Sequence, residues 1–235
     1  MDGKVIGTTM PVLEVSLDPG DQCLAETGEL AWMTQTIRMR TSSSLGPSQG
    51  WMAKVARMAG GGGLLMTEYT AEGGPGTVAF AAKLPGQIVP VEIGPTATFM
   101  VHQHGFLCGG PQVSVSMGFQ GSLGSGLFGG NGFVLQKVGG TGTAWIELAG
   151  EIVNRELAPG ERLLVHPGHV GMFSDTVGFE VTTVPGLSNI FFGRAGLFLA
   201  VLTGPGQVWL QSMPLPILAH ALQPYLATQG AQTRL

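Results

Sequence analysis

Gly74-Pro75-Gly76-Thr77-Val78-Ala79-Phe80 returns as Gly140-Thr141-Gly142-Thr143-Ala144-Trp145-Ile146 and again as Gly204-Pro205-Gly206-Gln207-Val208-Trp209-Leu210. The copies start 66 and 64 residues apart. Two such heptads are easy to find in a glycine-rich chain; three at nearly even spacing are much harder to obtain by chance. Each joins a glycine bend to an apolar, strand-like run, so the chain reads as three degenerate copies of one strand-and-turn unit.

Working outward, Leu17-Asp18-Pro19-Gly20-Asp21, Leu84-Pro85-Gly86-Gln87 and Leu157-Ala158-Pro159-Gly160-Glu161 are Pro-Gly corners that lead into apolar strands. Proline presets φ at such a corner, and glycine accepts the positive φ that a type II turn requires. The expected unit is a glycine bend, an alternating strand, a Pro-Gly turn and a return strand. A single unit would leave an apolar face bare, and neighbouring copies would cover it. The reading is therefore all-β, with three glycine-rich repeats around a pseudo-threefold axis, prism or barrel-like, forming one domain over 1–213. A tail over 214–235 follows, in which Pro214-Leu215-Pro216-Ile217 opens a short helix running from Leu218 to Leu226.

Pro11-Val12-Leu13-Glu14-Val15-Ser16-Leu17 alternates as a half-buried strand should, and strands are also expected at Cys23 to Ala25 and Leu30 to Met33. The first copy is split by an insertion around residues 34 to 66. Within it, Thr41 to Gln49 has loop composition, Trp51, Met52, Val55 and Met58 recur near helical spacing, and Gly60 to Gly63 ends the pattern. Gly118 to Gly132 resembles a nucleotide loop only superficially. No Lys-Ser or Lys-Thr follows its glycines. It reads as a structural loop anchored by Leu127 and Phe128.

Only 11% of the 235 residues are charged, 44% are hydrophobic and the formal charge is -4. A disordered chain has far less apolar content, and collagen needs a strict period of three. The one basic cluster, Arg38, Arg40, Lys54 and Arg57, is sparse, which argues against a nucleic-acid partner. Cys23 and Cys108 each sit in an apolar run and read as buried thiols. With a start that lacks an apolar signal core, they point to a cytoplasmic protein. No apolar run is long enough for a transmembrane helix.

Candidate chemistry is sparse. His102 and His104 would share one face of a strand, and His166 and His169 flank a Pro-Gly turn. They are weak metal candidates, since zinc takes neutral imidazoles but no carboxylate is fixed near either pair. The expectation is no metal, no cofactor and no catalytic residue. No Gly-x-Ser-x-Gly elbow or His-Glu-x-x-His stretch is present. Glu147, Glu151 and Glu156 read as residues of strand edges and turns on the wet face. Leu127, Phe128, Phe191, Phe192 and Phe198 are the candidate hydrophobic anchors of a subunit interface, because aromatic residues concentrate at interfaces.

Thr70-Ala71-Glu72-Gly73-Gly74-Pro75-Gly76, Leu84-Pro85-Gly86-Gln87-Ile88-Val89-Pro90, Gly126-Leu127-Phe128-Gly129-Gly130-Asn131-Gly132 and Phe191-Phe192-Gly193, taken with Leu157-Ala158-Pro159-Gly160-Glu161, resemble the mitochondrial-biogenesis family (altered inheritance of mitochondria type). The match spans about residues 10 to 213. The resemblance implies a fold similar to that of the tryptophan RNA-binding attenuation protein, with no RNA binding and no catalytic residues to carry over. The function expected is that of a non-enzymatic scaffold or interaction module. It would self-associate as a homo-oligomer and meet a protein partner or membrane-associated assembly. The alternative is a small-ligand or metal sensing module with a cleft between repeats, and His102 or His104 at its mouth.

Overall fold

A computed structural model describes residues 1–42, 65–121, 133–183 and 198–225. The strands form four sheets, and every pairing is antiparallel. One sheet runs β1 (Asp2–Ile6), β2 (Val12–Leu17), β7 (Gly76–Ala81), β4 (Leu30–Met33). A second runs β5 (Ile37–Ser42), β6 (Met66–Ala71), β3 (Gln22–Glu26), β10 (Phe106–Gly109), β13 (Gly142–Ala149), β8 (Gly86–Ile93). The third runs β11 (Val113–Gly121), β12 (Phe133–Gly140), β9 (Phe99–His102), β16 (Val170–Ser174), β19 (Gly206–Gln211), β14 (Ile152–Leu157). The fourth holds β15 (Arg162–Val165), β18 (Phe198–Thr203) and β17 (Gly178–Thr183). Among the described residues none of these sheets closes on itself, so the barrel-like alternative gives way to stacked open sheets.

The three heptads become β7, β13 and β19, each flanked by two strands. β7 lies between β2 and β4, β13 between β8 and β10, and β19 between β14 and β16. On one side the ladder is regular; on the other a bulge interrupts it, between Leu30 and Trp32, between Phe106 and Cys108, and between Val170 and Met172. Glycine is needed at these bends for different reasons. Gly140 has φ +91°, and a Cβ there would lie 2.1 Å from the Gln112 carbonyl oxygen. Gly76 has no positive φ; its missing side chain makes room for Thr34, Thr36 and Ile37.

The Pro-Gly corners differ from the expected hairpin returns. Gly20 and Gly160 take positive φ, +90° and +78°, as a type II-like corner needs, but each corner carries the chain from one sheet to another rather than back along the same ladder. Gly86 is not in the left-handed region. It is glycine because a Cβ would sit 2.1 Å from the Leu148 carbonyl oxygen across the β8–β13 ladder. The expected insertion also contains β5, whose partner β6 sets Ile37 opposite Ala71. The proposed helix of Trp51 to Met58 lies outside the described residues. α1 (Leu215–Leu222) begins three residues before the expected start, behind an extended Pro214.

Side-chain alternation decides which face each strand buries. In β2, Leu13, Val15 and Leu17 are at most 1% exposed while Glu14 and Ser16 point outward. Three apolar clusters result. The first gathers Leu13, Val15, Cys23, Tyr69, Phe80 and Cys108, with Tyr69 and Phe80 edge to face at 5.5 Å. The second holds Val101, Phe106, Ile146, Leu148 and Met172; the third holds Leu135, Phe173, Leu202 and Val208. Each fully buried Leu, Ile or Phe contributes about 1.5–3 kcal/mol, so these clusters supply most of the driving force. Among the described residues no helix is long and apolar enough to cross a membrane.

Candidate functional site

Polar side chains are rare inside this apolar body, which makes their clustering informative. Glu26 ends β3, Glu29 follows it, Lys83 stands in the corner after β7, His102 ends β9, and His104 lies in the turn before β10. Gln136 comes from β12 and Glu147 from β13. Strand pairing gathers them. β10 is laid between β3 and β13, and Glu147 N donates to the Gly105 carbonyl at 2.7 Å.

Glu26 is only 6% exposed. Gln136 Nε2 donates to its Oε1, and His104 Nδ1 donates to its Oε2 at 3.4 Å. His104 adopts φ +63°, the one left-handed non-glycine residue among the described residues, and that backbone strain aims its ring at Glu26. The hydrogen bond to Glu26 holds the His104 pKa above the usual imidazole value, against the partial burial that lowers it.

Glu147, also 6% exposed, accepts the backbone N–H groups of Lys83 at 2.7 Å and Leu84 at 3.3 Å on Oε1. Its Oε2 is buried without a hydrogen bond. The nearest cation is the Lys83 ammonium at 3.9 Å, which pairs more closely with Glu29 at 2.7 Å. Burial pushes the Glu147 carboxyl up, and Lys83 and the two backbone donors pull it back. Glu147 is thus a correction to its expected place on the wet face. Glu151 and Glu156 are exposed as expected.

His102 donates from Nε2 to the Glu147 carbonyl at 2.9 Å, which leaves Nδ1 without the proton in the neutral ring. Burial lowers its pKa. His102 and His104 therefore face different groups, and their pKa values are shifted in opposite directions. Neither ring bonds a hydroxyl or thiol among the described residues. The arrangement is suited to charge pairing and proton exchange rather than to nucleophile activation.

Two further histidines, His166 and His169, lie by α1. His169 Nδ1 donates to the Gln211 carbonyl at 2.8 Å, and His166 Nδ1 accepts from Gly168 N at 3.3 Å. Their rings meet edge to face at 5.8 Å. Gln211 Nε2 donates to the Gly168 carbonyl, and its Oε1 accepts from Ala149 N. Burial lowers the His166 pKa. Among the described residues no three His, Cys, Asp or Glu side chains are arranged to hold a metal ion.

Of the candidate anchors, Leu127, Phe128, Phe191 and Phe192 lie outside the described residues. Phe198 starts β18, partly buried against the third apolar cluster. Arg38 and Arg40 are exposed and share Glu72 at 3.8 and 3.7 Å. Cys23 and Cys108, far apart in sequence, meet across the β3–β10 ladder as free, buried thiols. Burial, then the hydrogen bond to Cys23, pushes the Cys108 thiol up.

Sequence reasoning missed Glu26 and Gln136. For Gln136 the signal was there, a polar side chain inside the apolar run Phe133 to Val138; Glu26, on the same face of β3 as Gln22 and Leu24, gave none.

The chain is similar to an uncharacterised protein of Streptococcus pyogenes serotype M6, with 26% identity over 229 residues that cover 94% of this chain and 88% of that protein. Its fold is similar to that in an X-ray crystal structure of a Streptococcus pyogenes protein, with a TM-score of 0.74 over 96% of this chain and 99% of that one. At 21% identity that likeness concerns the fold alone. The sequence pattern of the AIM24 mitochondrial-biogenesis family matches residues 4–213, and the chain belongs to that family.

Proposed function

We propose that the chain is a self-associating, non-enzymatic scaffold or protein-interaction module made of three six-strand units, β2–β7, β8–β13 and β14–β19, joined in an open series rather than closed about a threefold axis. The recurrence of the flanked heptad strand and its bulge supports the repeat. The observation that carries the interaction role is the state of β4. It is an edge strand, with Trp32 49% and Met33 38% exposed. Edge strands of proteins that stay alone are blunted with charges or proline. β1, β5, β8, β14, β15 and β17 carry such residues, among them Lys4, Arg38, Pro90, Arg155, Arg162 and Glu180, whereas Leu30-Ala31-Trp32-Met33 of β4 has none, nor has the serine-containing edge β11. An unprotected apolar edge is a template for strand addition.

Native mass spectrometry with light scattering across protein concentrations tests this reading. A discrete homo-oligomer is the expected result, and a monomer at every concentration would overturn it.

The second reading is a small-ligand site at the polar seam. It is favoured by the buried Glu147 Oε2, which has no hydrogen bond, near Lys83, and by the half-exposed His104 on Glu26. A reproducible added mass that disappears in His104→Ala would support it.

A further inference from the structure

The self-association proposed above leaves open which surface meets β4; the two joints inside the chain supply the answer. At the first, β3 lies beside β10 with Ala25 opposite Cys108 and Leu24 opposite Gly109. At the second, β9 lies beside β16 with Val101 opposite Met172 and Met100 opposite Phe173. In both, the second strand of one six-strand unit pairs with the third strand of the next.

The equivalence of positions is fixed independently by the ladders on either side. Trp32, Cys108 and Met172 each follow the bulge, opposite Ala79, Trp145 and Trp209. Ala25, Val101 and Val165 each face the neighbouring strand at Thr67, Gln136 and Ala200. Trp32 therefore holds the place of Cys108 and Met172, Met33 that of Gly109 and Phe173, Val165 that of Ala25 and Val101, and Leu164 that of Leu24 and Met100.

The third unit's second strand is β15 and the first unit's third strand is β4. Among the described residues β15 pairs only with β18 and β4 only with β7, so neither meets the other within the chain. Burial marks the same two strands. Cys108 and Met172 are fully buried and Phe173 is 1% exposed, whereas Trp32 is 49%, Met33 38% and Leu164 56% exposed. At the two ends Trp32, Met33 and Leu164 are bare, while Val165, 8% exposed, is covered by the third apolar cluster.

We propose that the β15 edge of one copy adds to the β4 edge of a second copy, head to tail, with Val165 opposite Trp32 and Leu164 opposite Met33. The occupant of the β4 edge is thus this same chain, and the register is the one already used twice inside it. β15 carries a single charge, Arg162, at its start, so no like-charge pair opposes the contact. The interface is heterologous: each copy uses two different edges, and the assembly forms a ring wherever the rotation closes.

The test uses two full-length single variants, Leu164→Cys and Met33→Cys, with the buried native thiols retained. Residues directly opposite on antiparallel strands are close enough for a disulfide or a short bis-maleimide. Mixing the two variants under mild oxidation is expected to give a covalent dimer, while each variant alone gives none. A dimer from either variant alone would mean like edges meet, and would overturn the head-to-tail pairing. No cross-link from a mixture that is oligomeric by native mass would place self-association on another surface and sink this inference alone. A monomer at all concentrations would sink both it and the function it rests on. As a second reading of the same edge, Leu164→Lys is expected to weaken assembly about tenfold or more. Val153→Lys, at an exposed site on β14, is expected to leave assembly unchanged.

Discussion

Gly140 combines two demands that a side chain cannot meet together: φ of +91° and a Cβ position 2.1 Å from the Gln112 carbonyl oxygen. Gly140→Ala is expected to cost about 2 kcal/mol or more, read as a lower urea midpoint, whereas Gly28→Ala, with positive φ but open space around it, costs less. The seam histidines give a second residue-scale test. The Glu26 hydrogen bond raises the His104 pKa above 6.5, so its contribution to stability is complete below that value and is lost as pH climbs through the raised folded value. Glu26 and Glu29 face the ring as anions and Lys83 as a cation. His102 runs the other way. Burial lowers its pKa from 6.5, so its neutral ring favours the fold above that value, and the benefit is lost as pH falls towards the lowered one. His104→Gln is expected to flatten the stability profile above about pH 6.5, and His102→Gln to flatten it below about pH 6.5. Equal slopes for wild type and variants in urea titrations would refute these assignments.

The elements draw their stability from stacked apolar faces, and the third cluster shows how local that dependence is. Phe173 of β16 stacks on Phe179 of β17 at 5.7 Å with planes 7° apart, and Phe179 stacks in turn on Phe133 of β12 at 5.7 Å. One ring therefore joins the third and fourth sheets. Phe173→Ala is expected to cost about 3–5 kcal/mol, measured by equilibrium denaturation, because it removes the ring stack and leaves a cavity at the joint of two sheets. Elements of this kind were legible in the sequence where their cause is local. β2, β3 and β4 follow from alternation, and β7, β13 and β19 from the heptads. The corner at Asp18 to Asp21 follows from Pro-Gly chemistry. β5 was not legible, since Ile37-Arg38-Met39-Arg40 alternates inside what composition marks as an insertion. The role of Gly86 was misread because its constraint is the Leu148 carbonyl, 62 residues away. The polar seam was only half visible for the same reason. His102 and His104 stand out as histidines, but Glu26 lies 78 residues from His104 and 110 from Gln136. Only the pairing of β3 with β10 and β12 with β9 brings them together.

At the scale of the whole molecule, the exposure of Trp32, Met33 and Leu164 is a property of position in the array rather than of composition. Their counterparts Cys108, Phe173 and Met100 occupy the same register inside the chain, so no local pattern distinguishes a covered joint from an open end. With one second-position strand and one third-position strand unpaired among the described residues, the proposed assembly adds copies by the same backbone ladder that joins the units inside the chain. Assembly then stabilises the folded copy by mass action, since the unfolded chain has no edge to pair. The thermal midpoint of the wild-type protein is expected to rise with concentration by roughly 3 °C per tenfold. Leu164→Lys places an ammonium opposite Met33, and no acidic residue of β4 can pair with it. It is therefore expected to hold a constant midpoint across the same range. Val153→Lys, equally exposed but on β14, is expected to keep the wild-type slope. Scanning calorimetry of the three proteins over a hundredfold concentration range would decide. A flat wild-type midpoint would show that folding and assembly are not linked. A rising midpoint in Leu164→Lys would show that they are linked through a surface other than β15.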